Sequence, residues 1–240
     1  MVVFDIETVG ENWGEIDEYS QSVLTRWVDR TVKNTDEKTA KLLDIKNNLG
    51  FSPLTGFVVS IAVYDMENDA GYVFYQADEH NVHMQDGVHF STGTEAEILS
   101  DFWTLMKGKS IFITFNGRAF DVPFLLHRSI ACEVVPTVHL LGNRYLSYQT
   151  PPYHIDLQDE LTFYGVMSKR PNLHLFCRAF GIESSKDETV SGDMVADLFQ
   201  AKRYLEIAQY NYSDVIATKA LFLKWKTFLA RQEVLAKLGC

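Results

Sequence analysis

An α/β fold is predicted on three observations. Apolar runs with strand character come first in the chain and helical spacing dominates later, the order expected of a sheet covered by helices. The 240 residues, 46% of them hydrophobic, suffice for one sizeable core. No change of composition divides them, so a single domain over 1–240 is expected, interrupted by one long polar segment.

The elements follow in order. Residues 2–8, Val-Val-Phe-Asp-Ile-Glu-Thr, read as a buried strand that turns polar at its end. Residues from about 10 to 53 are polar and charged; they read as a long insertion with too few apolar residues for a core of its own, helical in part at 37–47. A second strand is expected at 57–64, a turn at 66–70 and a third strand at 71–75. The stretch holding His80, His83 and His89 has loose metal-like spacing but no partner carboxylates, and reads as a solvated loop. Residues 95–106 have helical spacing, with Ile98, Leu99, Phe102, Leu105 and Met106 along one face. A fourth strand at 110–115 runs into an Asn116-Gly117 turn, and Asp121 opens a helix through Leu125 and Ile130. The region 132–152 is loop-rich, and 153–157 suits a short strand. Helices are expected at 173–180, capped by Gly181, and at 193–200. Residues 203–212 lead into a last long helix, with Leu221, Phe222, Trp225, Phe228 and Leu229 as its core stripe.

Composition excludes some functions. The formal charge is −10, which argues against a broad duplex-gripping surface. It leaves room for an enzyme that holds a few nucleotides through bound metal ions, since those ions supply positive charge locally. The basic pairs Lys169-Arg170 and Lys202-Arg203 read as solvated surface. Cys132, Cys177 and Cys240 are odd in number and widely spaced, as for reduced thiols. No signal peptide and no apolar run of roughly 18 residues is evident, so a soluble, cytoplasmic protein is expected, with no membrane partner.

Three small groups carry chemistry. Asp5 and Glu7 stand two apart on a strand and so share a face. Like charges about 4 Å apart cost roughly 4 kcal/mol at an effective dielectric near 20, unless a cation lies between them. Asp121 follows a strand and a tight turn, which by itself is an ordinary place for an aspartate. Tyr210 and Asp214, at i and i+4, share one helix face. Each group alone favours the plainer reading. Together they supply the convergent oxygens that two-metal phosphodiester hydrolysis needs, with a tyrosine to orient the attacking water.

With these residues in place the chain resembles a family. Phe4-Asp5-Ile6-Glu7-Thr8 resembles the first motif of the DEDD 3′→5′ exonucleases. The run Asn116-Gly117-Arg118-Ala119-Phe120-Asp121 resembles the second, and Tyr210-Asn211-Tyr212-Ser213-Asp214 the third. The Tyr-x₃-Asp spacing is that of the tyrosine subtype; the histidine subtype would place His where Gln209 stands. His154-Ile155-Asp156-Leu157 resembles a segment of the predicted exonucleases similar to the proofreading domain of family-B DNA polymerases. The resemblance implies a ribonuclease H-like fold, with a mixed five-stranded sheet flanked by helices. It implies Asp5, Glu7, Asp121 and Asp214 as ligands of two divalent ions, Mg²⁺ or Mn²⁺, and Tyr210 as the group that positions water. Thr8, Asn116 and Phe120 are expected at the substrate, with the turn as the other use of Asn116, and with core packing as good a reading of Phe120 as stacking on a terminal base; His154 and Asp156 are expected in supporting hydrogen bonds. The expected partner is the 3′ end of single-stranded DNA, or of RNA as in enzymes similar to RNase D. A binding module that kept the fold and lost catalysis, and a structural metal-binding domain, are the rivals from other classes; the intact five-residue set counts against the module.

Overall fold

The computed structural model describes residues 1–183 and 194–239. Its centre is a seven-stranded mixed sheet in the order β4-β5-β3-β2-β1-β6-β7. The strands are β1 (Val2–Gly10), β2 (Gly56–Asp65), β3 (Ala70–Gln76), β4 (Val82–Gln85), β5 (Val88–Gly93), β6 (Ile111–Thr114) and β7 (Tyr153–Asp156). β2 is antiparallel to β1 and β3, while β6 runs parallel to β1 and β7 parallel to β6. The carboxyl ends of β1, β6 and β7 therefore lie on one edge, where ligands bind in open α/β sheets.

Five strands, β3-β2-β1-β6-β7, make up the sheet that the resemblance implied. β4 and β5 extend it to seven: β4 pairs antiparallel with β5, and β5 runs parallel to β3. This corrects the reading of 80–89 as loop. Asp86 and Gly87 both take positive φ, 50° and 80°, and form the tight turn of a hairpin. Val88 and Phe90 point into the core; His83 lies opposite Phe90 on the same face and stacks on its ring, while His89 alternates to the other face and stacks on Tyr72.

Helices cover both faces. α1 (Glu18–Thr31) and α2 (Thr35–Asn47) lie between β1 and β2. Asp17 and Asn34 cap them, and only Val28 is buried in the pair, as expected of a segment without its own core. α3 (Glu95–Met106) begins in a capping box of Thr94 and Glu97. α3 and α4 (Asp121–Ala131) pack Leu99, Phe102, Val122 and Leu125 on Phe4 and Ile6 of β1. α5 (Leu157–Leu161), α6 (Leu173–Ala179), α7 (Val195–Gln200) and α8 (Tyr204–Phe228) follow. α5, α6 and α8 cover the other face, against Val3, Ala62 and Ile113. α6 ends with Gly181 at φ 64°, as expected of its cap; the start of the helix expected at 193 lies outside the described residues, as does Cys240. Cys132 is half-buried and Cys177 buried.

Residues 204–212 do not lead into the last long helix; they are part of it, with Arg203 as its N-cap. Leu221, Phe222 and Trp225 are buried in α8, but Phe228 and Leu229 are 75% and 48% exposed. The helix ends there, and a short α9 (Gln232–Leu238) turns back to bury Val234 and Leu238 in their place. No described helix is long and apolar enough to cross a membrane.

Candidate active site

The alternation of β1 sets the site. Phe4 and Ile6 face α3 and α4, whereas Val3 faces the α8 layer. Asp5 and Glu7 share the face of Val3, so both project toward α8. A bulge between Glu7 and Thr8 then interrupts the pairing with β2, a device that re-aims side chains near sites.

Asp121 arrives from the neighbouring strand. After β6 the chain turns through Asn116 in the left-handed region, φ 65°. At Gly117 a Cβ would fall 2.4 Å from Thr114 Oγ1, so only glycine lets the chain pass. The Asp156 carboxylate, at the end of β7, accepts from the N–H groups of Asn116 at 2.9 Å and Arg118 at 3.0 Å and fixes the turn. Asp121 is thereby buried as the first residue of α4, and its Oδ1 accepts from the Ile6 N–H at 3.1 Å.

α8 brings the third group. Tyr210 and Asp214 stand one turn apart and share a side-chain hydrogen bond. Between them Asn211 is fully buried; its Nδ2 donates to Asp5 Oδ2 at 2.7 Å and its Oδ1 accepts from Ser60 Oγ at 2.8 Å.

The electrostatics show convergence. Burial raises the Asp5 carboxyl well above the usual carboxylate range, and the charges of Asp121, Glu7 and Asp214 raise it further; the Asn211 amide opposes them. Asp121 is pushed up to about 7, chiefly by burial, against the pull of two backbone N–H groups, its own and that of Ile6. Burial and the charges of Asp214, Glu7 and Asp5 also raise Tyr210, so its hydroxyl stays protonated at neutral pH.

This donor set has the chemistry of a site for hard divalent cations, all carboxylate oxygen. Its acids also repel one another, which a cation would relieve. Among the described residues, however, no three His, Cys, Asp or Glu side chains stand in an arrangement ready to ligate a metal. The four carboxylates form an open set that shares one field, not a closed cage.

The model of a family described as "Predicted 3'-5' exonuclease related to the exonuclease domain of PolB" matches residues 57–235. The chain belongs to this family. Asn116, Phe120, Asp121, Tyr210 and Asp214 lie within the stretch matched by this predicted exonuclease family; Asp5, Glu7 and Thr8 precede it. In fold the chain is similar to the family B DNA polymerase from the hyperthermophilic archaeon Pyrobaculum calidifontis, with a TM-score of 0.56 and 19% identity over 99% of this chain. It spans 26% of the polymerase chain, and at that identity the likeness is one of fold. A search of the curated proteins finds no match.

The remaining residues singled out in this PolB-related exonuclease family member are placed as follows. Thr8 Oγ1 donates to the Gly50 carbonyl at 2.7 Å, which ties the 10–53 segment to the end of β1. Phe120 is half-buried between Phe51 and Phe124. His154 bonds Thr114 Oγ1 at 2.8 Å and the Leu140 carbonyl at 3.2 Å, a supporting role as expected. Lys169 and Arg170 are exposed; Lys202 pairs with Asp78 and Arg203 with Glu206. Sequence reasoning missed Asn211. Its signal was there: Asn211 shares a stripe with Ile207, Val215 and Thr218, all buried, and a buried amide needs partners.

Proposed function

We propose that this chain is a metal-dependent 3′→5′ exonuclease of the tyrosine subtype that shortens single-stranded nucleic acid, DNA before RNA, to nucleoside 5′-monophosphates. One observation carries the reading: Asp121 of α4 accepts from the N–H of Ile6, which lies between Asp5 and Glu7 on β1, and Asn211 of α8 donates to Asp5, so three elements meet at one strand end. The acids crowded there oppose folding, and their use is to hold cations. In this reading residues 1–240 act as one exonuclease domain, with 10–53 as an insertion.

The four carboxylates would hold two Mg²⁺ or Mn²⁺ ions, which when bound supply Lewis acidity toward the phosphodiester and a nucleophile at neutral pH. The chain's own groups do the rest. Asn211, braced by Ser60, sets the orientation of Asp5. Tyr210, kept protonated, holds the attacking water in line while its hydroxyl stays within reach of Asp214. Asp156 holds the turn that presents Asn116 and Phe120 to the terminal nucleotide. Thr8 contributes by fixing the neighbouring turn at Gly50.

The test is a digestion ladder. Strands of DNA and matched RNA, labelled at the 5′ end, should shorten stepwise from the 3′ end in Mn²⁺ and stay whole in EDTA. A circular single strand should resist. Rapid cutting of the circle would mean an endonuclease, and binding without any cleavage would mean a module that has lost catalysis.

A further inference from the structure

The 10–53 segment leaves the sheet after Gly10, and the chain rejoins it at Gly56, which pairs with Gly10. Both roots therefore lie at the end of β1 that bears Glu7, and Thr8 fastens the returning chain at Gly50. Between the roots, α1 and α2 pack on each other as a hairpin braced from within. Gln21 Nε2 donates to the carbonyls of Trp13 at 3.1 Å and Ile16 at 2.7 Å. Lys38 of α2 pairs with Asp29 of α1, and Lys46 Nζ lies 5.1 Å from the centre of the Trp13 ring. The hairpin stands outside residues 57–235, the stretch that the family model matches.

α1 buries only Val28 and turns a row of large side chains to water. Tyr19, Val23 and Trp27 follow at i, i+4 and i+8 and are 77%, 41% and 45% exposed. Arg26 and Arg30 fall on the same arc, since a turn of 3.6 residues puts all five side chains within about 100° of the helix circumference. Both arginines are exposed and form no ion pair among the described residues; the acid beside them, Asp29, is taken by Lys38. Single exposed apolar residues need no explanation. Three in one row, two of them aromatic, with two guanidinium groups among them, match a partner that has flat apolar faces and negative charge. The positive charge is local: residues 26–46 hold six Lys or Arg against four Asp or Glu, in a chain whose formal charge is −10.

We infer that this face of α1 is a second holding site for single-stranded nucleic acid, with bases against Trp27 and Tyr19 and phosphates at Arg26 and Arg30, used by the part of the strand that is not at the carboxylates. The inference rests on the exonuclease reading above and adds to it a role for the insertion. A single strand matches both halves of the face. Its bases stack on aromatic rings whatever their identity, and its phosphates accept paired hydrogen bonds from guanidinium groups. Tyr19 and Trp27 are about 12 Å apart along the helix, room for more than one nucleotide. A second copy of the chain docked here about a two-fold axis would set one positive face against another. The site also answers a need of stepwise cleavage: each cut releases the 3′ nucleotide, and a grip elsewhere keeps the strand on the molecule.

The experiment measures binding of single-stranded DNA in Ca²⁺, which suppresses cleavage, with strands of about 4 and about 30 nucleotides, the shorter at the low end of one binding site and the longer well beyond it. Trp103 and Trp225 are buried and Trp13 is half-buried, so a base stacked on Trp27 should quench the exposed part of the tryptophan emission. That quenching should vanish in Trp27→Phe, which keeps a ring and most of the affinity. Trp27→Ala should weaken binding of the long strand by roughly 5- to 150-fold, the equivalent of about 1–3 kcal/mol for one stacked base, and leave the short strand unaffected. Trp27→Leu, apolar but without a π-face, should behave as Trp27→Ala. Replacing both Arg26→Gln and Arg30→Gln should lower the salt slope of log K by about 1.4, at about 0.7 for each lost phosphate contact. In Mn²⁺ Trp27→Ala should remove fewer nucleotides per encounter from a long strand, with kcat on the short strand unchanged. Melting temperatures should hold, since none of these side chains is in the core. If Trp27→Ala and the double arginine variant bind and cleave long strands as the wild type does, the second site is overturned and the exonuclease reading stands. Full affinity in Trp27→Leu overturns it too. Quenching of Trp27 by phosphatidylserine vesicles and not by strands would assign the face to a membrane, and a dimer that Trp27→Ala dissociates would assign it to a second copy; either result overturns the proposal. A wild type that neither binds nor cleaves single strands overturns both readings.

Discussion

One strand pair carries two acids, one buried and one half-buried, and they are treated in opposite ways. Asp65, at the end of β2, faces Val2 at the start of β1; Asp5 lies three residues further along β1. Asp65 accepts from Lys109 Nζ at 2.8 Å, from the Glu67 N–H at 3.0 Å and from Asn68 Nδ2 at 2.7 Å. Burial pushes its carboxyl up, but these contacts outweigh it and hold the group below the usual range. Asp5 is half-buried, and desolvation raises its carboxyl; the charges it feels most are Asp121, Glu7 and Asp214, all negative, and they raise it further. The sign of the neighbours is the difference. An acid with a structural role brings its counter-charge in the chain, whereas in the function proposed above a set of acids that raise one another serves to hold a cation.

The largest effects should divide along that line. Asp5→Ala, Glu7→Ala, Asp121→Ala and Asp214→Ala should each lower cleavage by orders of magnitude and leave a folded protein. Asp65→Ala should do the reverse. It leaves Lys109 half-hidden and without its main partner, at a cost on the order of 3 kcal/mol. For a domain of this size that is roughly 6–12 °C in melting temperature, with activity per folded molecule unchanged. Near-normal cleavage by Asp5→Ala would break the comparison.

Tyr210 should give the next effect. Tyr210→Phe removes one oxygen and keeps the ring, so stability should move by no more than about 0.5–1.5 kcal/mol, the worth of one hydrogen bond. If the hydroxyl positions the nucleophile, kcat should fall about 10²- to 10⁴-fold while substrate and metal still bind. A fully active Tyr210→Phe enzyme would leave the carboxylates standing and remove the tyrosine from the mechanism.

Much of this was legible in the sequence, for physical reasons that differ by element. β1, β2 and β3 are apolar over a strand's length, and α3 shows its stripe at 3.6-residue spacing, so local pattern suffices. The hairpin β4–β5 was not read, because its core-facing positions are few and its polar residues face water; the Asp86-Gly87 turn was the sign. Phe228 and Leu229 fit the stripe of α8, yet the helix stops there, and where a helix ends depends on what packs next. In the site, spacing pointed to Asp5, Glu7, Asp121, Tyr210 and Asp214. Spacing says nothing of long-range partners, so neither the Asn211 bridge to Asp5 nor the seat of Phe51 against Phe120 was visible before the fold.

Metal should separate the two acids by stability alone. An ion that binds only the folded state adds about 2.7 kcal/mol per site at 100 times its dissociation constant. Millimolar Mn²⁺ should therefore raise the melting temperature by several degrees. Asp5→Asn should blunt the shift. Asp65→Asn should start lower and shift by as much as the wild type. An unchanged melting curve in Mn²⁺ would count against a cation site at Asp5.

Acid sharpens the comparison least but most simply, because the well-partnered interior should lose stability as pH falls. Asp65 has a lowered pKa, so its contribution is present above the ordinary value near 3.8 and is lost as pH drops through the folded value. His154, buried behind the site, is pushed down to about 3 from 6.5, chiefly by burial. The unfolded chain therefore takes up a proton on this histidine below about pH 6.5 while the folded chain does not until about pH 3. Stability must fall across that window, by at most about 1.4 kcal/mol per pH unit. A carboxylate raised by its neighbours, as at Asp5, acts in the opposite sense, since the fold keeps its proton longer than the unfolded chain does. His154→Asn keeps a donor for the Leu140 carbonyl and cannot titrate here. It should melt lower at pH 7 and lose less between pH 7 and 5 than the wild type, with both measured in EDTA. Equal slopes in the two proteins would remove His154 from the account and leave the acids as the source of any pH dependence.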